Sequence, residues 1–128
     1  MRRFLLVSAT GWIAVLALGV EIALPYLLRS QGRSAPLRAR MWPHYWLAYG
    51  LAILVMVHSS FVMGPAMRRG DLVGIWAATF ALGLILLQLA LGLAMQSGCP
   101  SQRQLRQWHF RTMIAICLLL ITHLWRNG

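Results

Sequence analysis

The chain has 128 residues, 59% of them hydrophobic and only 11% charged, whereas an ordinary soluble domain carries roughly 25% charged residues, so the expectation is a single membrane domain over residues 1–128. The formal net charge of +10 comes from twelve arginines set against Glu21 and Asp71. A balance this basic invites a nucleic-acid partner, but the arginines lie in short clusters between apolar runs, as charge does at a membrane surface, so the partner read here is membrane lipid and not nucleic acid.

Four apolar segments follow one another, with helices expected at about 4–28, 43–64, 72–95 and 107–126; a spanning helix needs about 20 mostly apolar residues. The first contains Glu21 and Pro25. Its Met1-Arg2-Arg3 start is also how a signal peptide begins, but no small-x-small cleavage site follows a short apolar core, and the run continues to Leu28, so it reads as a retained helix. A loop from Arg29 to Pro43 leads to the second segment, which Gly64-Pro65 is expected to close. The third contains no charge. A polar loop holding Gly98, Cys99 and Pro100 precedes the fourth, which Arg111 shortens, although a helix end can project arginine to the interface. Short connections make neighbours antiparallel, giving an all-α, up-down-up-down bundle of four transmembrane helices, with the second and fourth co-directional. Cys99 and Cys117 fall at different depths and read as free thiols.

The four histidines are confined to the second and fourth segments. His44 and His58 are fourteen residues apart, and so are His109 and His123. Fourteen residues are two heptads, so each pair returns to nearly one face, about 40° off on a straight helix, with roughly 21 Å between its members. One metal ion does not bridge that distance; two sites stacked along the membrane normal do. Because the helices are co-directional, His44 shares a depth with His109, and His58 with His123. Haem iron takes two axial ligands on opposite faces of its ring, and neutral histidine is an ordinary choice. Two b-type haems are therefore expected, one on His44 and His109, the other on His58 and His123. Zinc or copper is a poorer match, with two imidazoles per level and neither a carboxylate nor a cysteine pair beside them.

Other residues bear on these sites. Arg38, Arg40 and Arg111 on one side, and Arg126 on the other, are candidate partners for haem propionates, or ordinary flanking charge. Aromatic residues beside the histidines suit a porphyrin or an interfacial belt. Gly11, Gly19, Gly74, Gly83 and Gly92 lie on the histidine-free helices, leaving room either for a flat cofactor or for close helix packing. Glu21 is the only acid inside an apolar segment. It is a candidate quinone proton carrier; it could equally hydrogen-bond a ligand histidine or pair with arginine.

His44-(thirteen residues)-His58 and His109-(thirteen residues)-His123 on alternate helices resemble the four-helix haem-binding half of the cytochrome b of bc-type complexes. The resemblance covers the whole chain as architecture and four residues as motif, and it implies the same pairing of ligands. The chain departs from that family in two respects. Glycines paired fourteen apart on the first and third helices are replaced here, Gly11 being answered by Pro25 and Gly74 by Gln88. The later helices and the Pro-Glu-Trp-Tyr motif of quinol oxidation are missing. Other small diheme b-type cytochromes, anchors of dehydrogenases or hydrogenases, have a similar size but less similar spacing.

The expected function is transmembrane electron transfer, as the small cytochrome subunit of a larger respiratory or photosynthetic redox complex in a bacterial inner membrane, with quinone as a further candidate partner. Two other classes stay open: a stand-alone quinone, ferric or superoxide oxidoreductase, and a haem-free structural subunit. Arginine counts in the loops lean towards both termini outside the cytoplasm, while Arg2 and Arg3 lean the other way.

Overall fold

The computed structural model describes residues 2–30, 36–69, 72–98 and 101–127. Among these there are five helices and no strand: α1 (Arg2–Ser30), α2 (Leu37–Arg40), α3 (Trp42–Arg69), α4 (Leu72–Gln96) and α5 (Gln102–Asn127). Four of them hold stretches long and apolar enough to cross a membrane, Val7–Leu28, Trp42–Pro65, Leu72–Gln96 and Gln102–Trp125. Their side chains behave accordingly. Leu16, Trp76, Phe80, Leu118 and Ile121 are each at least 60% exposed, an arrangement that water would penalise and lipid tails accept. The protein is an all-α, multi-pass membrane protein with four spanning helices.

The helices form where the apolar runs predict, with two differences at their ends. Gly64-Pro65 does not close α3, which continues to Arg69. Proline interrupts one backbone hydrogen bond, and membrane helices tolerate that interruption better than soluble ones. α5 begins near Gln102, five residues earlier than expected, with the Leu105 amide donating to the Ser101 carbonyl at 3.1 Å. Ser101 and Gln104 have the spacing of a capping box, a start signal that hydropathy alone does not show. The four-residue α2 sits in the first loop and has no apolar pattern to announce it.

Two compact units divide the chain inside α3, Met1–His58 and Ser59–Gly128. In the first, α1 runs antiparallel to the amino-terminal part of α3, so that Thr10 meets His58 and Glu21 meets His44. In the second, α4 and α5 form an antiparallel hairpin. Gln88 meets Thr112 there, Gly92 faces His109, and Gln102 Nε2 donates to the Met95 carbonyl at 3.1 Å. α4 ends at a turn in which Gly98 takes φ +75°, a left-handed conformation that glycine adopts without a Cβ clash. Buried positions are few: Leu51 and Ala52 on α3, Thr112 and Ile116 on α5.

Candidate functional site

Both α3 histidines in the first unit turn to α1. His58 Nδ1 lies 3.0 Å from Thr10 Oγ1. The Thr10 hydroxyl also lies 3.1 Å from the Val7 carbonyl, one turn back. The hydroxyl reaches both groups, and whether it or the ring N–H donates between Thr10 and His58 depends on the imidazole tautomer. Next to Thr10, Gly11 holds the ring from below: a Cβ built there would come within 3.1 Å of His58 Cε1.

His44 occupies the other level. Its Nδ1 lies 2.8 Å from Glu21 Oε1, both side chains being well buried, at 14% and 11% exposed. The ring N–H is not aimed along that line, so the contact is electrostatic rather than an aligned hydrogen bond. Glu21 Oε2 is buried with no hydrogen-bond partner among the described residues. Of the groups named for Glu21 in the sequence, a histidine, His44, is the one it lies beside.

The second unit treats its polar groups differently. His109 is half-buried, and its Cε1 is the atom that a side chain at Gly92 would approach, at 3.9 Å. Gln88, the polar residue in the middle of α4, meets Thr112 rather than a ring. The Thr112 hydroxyl also reaches the carbonyls of Trp108 at 2.9 Å and His109 at 3.0 Å. His123 is half-buried in the last turns of α5.

Among the candidate propionate partners, Arg111 is exposed and its guanidinium stands 5.3 Å above the Trp108 ring, a cation–π arrangement. Arg40 is half-buried. The side chains of Arg38 and Arg126 lie outside the described residues, as does Cys99, while Cys117 is a free thiol. No group of three or more histidine, cysteine or acidic side chains converges among the described residues.

Thr10, Gln88 and Thr112 are the residues that the sequence reading passed over. A signal for Thr10 existed. It precedes Glu21 by eleven residues, three helical turns within about 20°, so the two share a face of α1. No protein-family model, curated protein or solved structure matches the chain.

Proposed function

We propose that this chain carries electrons across the membrane through two b-type haems held by His44, His58, His109 and His123, as the small cytochrome subunit of a larger redox complex. The observation that carries this reading is the placement of the α3 histidines, with His58 Nδ1 against Thr10 Oγ1 and His44 Nδ1 against Glu21 Oε1 on α1. Each turns Nδ1 towards an oxygen on α1 and Nε2 away from it, the orientation that metal-ligating histidines adopt when an outer group steadies the other nitrogen. The spacing of the four histidines in the sequence supplies the pairing. A haem iron held by two imidazoles has both axial positions filled and exchanges single electrons.

The rest of the work belongs to the chain. Thr10 and Glu21 orient their rings. Gly11 keeps the space beside His58 clear, since any Cβ there would crowd Cε1. The apolar spans exclude water and fix the depth of each ring. Arg38, Arg40, Arg111 and Arg126 are the candidate counter-charges for propionates near the membrane surfaces. The contact of Glu21 with His44 favours a role at that histidine over proton exchange with quinone.

The test is a reduced-minus-oxidised absorption spectrum with haem and iron counting, on wild type and on His58→Ala. The expected content is two haems in wild type, falling to about one in the variant. Wild-type protein that purifies colourless from cells amply supplied with haem would end the proposal.

A further inference from the structure

Two histidines of one helix face acceptors of different charge, and this asymmetry has a redox consequence. His58 Nδ1 meets a neutral hydroxyl, Thr10 Oγ1, at 3.0 Å. His44 Nδ1 meets a carboxylate, Glu21 Oε1, at 2.8 Å, with both side chains almost out of solvent. The second carboxyl oxygen is buried and has no hydrogen-bond partner among the described residues.

We infer that Glu21 is a positioning residue that acts through His44 to hold the iron bound there at a lower reduction potential than a neutral acceptor would, and that Thr10 leaves the iron at His58 without this bias. The inference rests on the haem ligation proposed above. A polar oxygen beside the far nitrogen makes an imidazole a more basic ligand. A full negative charge does so more strongly than a hydroxyl dipole, and in an apolar span its field is poorly screened. Ferric iron carries one more positive charge than ferrous iron, so a basic ligand and a nearby anion both favour the oxidised form of the one-electron couple. The same carboxylate has no comparable effect at His58, since fourteen residues of α3 set the two rings roughly 21 Å apart.

Glu21→Gln tests this, because glutamine keeps the length and an acceptor oxygen while removing the charge. If Glu21 merely steadied the ring, the potentials would stay where they are. The prediction is that, in a spectroelectrochemical titration of the purified haem-loaded protein, one of two waves moves upward by about tenfold in its one-electron equilibrium constant, about 59 mV. The other wave stays in place. Thr10→Val leaves the wave that Glu21→Gln moves and shifts the other by less. Low-temperature electron paramagnetic resonance of the unaltered protein gives an independent reading: two low-spin ferric signals are expected, one displaced in the direction of a more anionic imidazole. Two haems with neither wave moved by Glu21→Gln, both waves moved alike, or two identical ferric signals in wild type would each overturn the role of Glu21 while leaving haem ligation standing. Wild type without haem overturns the ligation itself.

Discussion

The two units of this protein use the same ingredients in opposite ways. In each, a histidine-bearing helix runs antiparallel to a helix without histidine. In the first unit the polar groups of α1, Thr10 and Glu21, go to the imidazoles of α3. In the second, the polar group of α4, Gln88, goes to the Thr112 hydroxyl, and His109 faces a glycine. A polar side chain in lipid has to find a partner. In the first pair those partners are the histidines, and in the second Gln88 and Thr112 tie one helix to the other.

Perturbing each unit in turn sharpens that contrast. The largest effect is expected from His44→Ala with His58→Ala, which removes a ligand from each proposed haem; the purified double variant should lose both, by pyridine haemochrome assay. The corresponding change in the second unit, Gln88→Leu with Thr112→Val, should leave haem content untouched. If it strips haem as thoroughly, the distinction between the units fails. Next in size is Gly11→Ala, which forces the His58 ring to move by a few tenths of an ångström from a contact of 3.1 Å. A shift in one haem band with the other unchanged is the expected spectrum. Gly92→Ala, whose nearest ring atom is at 3.9 Å, should be spectrally silent.

Smaller effects belong to stability. Gly98→Ala places a side chain at φ +75° and should cost about 1 kcal/mol, read as easier unfolding in a denaturing detergent with haem content intact. The Gln88→Leu, Thr112→Val pair should cost about 0.6 kcal/mol by the same measurement, the average for a hydrogen bond between membrane helices. A cost several times larger would mean that the pair organises the hairpin rather than merely satisfying its own polar atoms.

Much of the fold was legible from hydropathy, because length and apolarity are the quantities that lipid selects. The ends were less so. Gly64-Pro65 reads as a stop, yet α3 absorbs the one interrupted hydrogen bond and continues to Arg69; the start of α5 is written in Ser101 and Gln104 rather than in its apolar residues. The histidines were legible as a spacing, since fourteen residues repeat a face whatever surrounds the helix. Their outer partners were not. Choosing among an imidazole, an arginine and quinone for Glu21 requires the rotation of α1 about its own axis. A helix that is apolar on every side carries no amphipathic stripe from which to read that rotation. Thr10 was hidden for the same reason, although its eleven-residue offset from Glu21 marks a common face.

The α4–α5 hairpin also bears on how the chain enters the bilayer. α4 is the most apolar of the four spans and α5 the least, and the weak span follows the strong one directly through the Gly98 turn. An arm burdened by Gln107, Arg111 and Thr112 gains from arriving beside a finished neighbour whose Gln88 already offers Thr112 a partner. We therefore expect α5 to translocate poorly when it is synthesised alone and efficiently when α4 precedes it, a difference that glycosylation-site mapping on microsomes reads directly. Equal efficiency in both contexts would mean that α5 needs no escort.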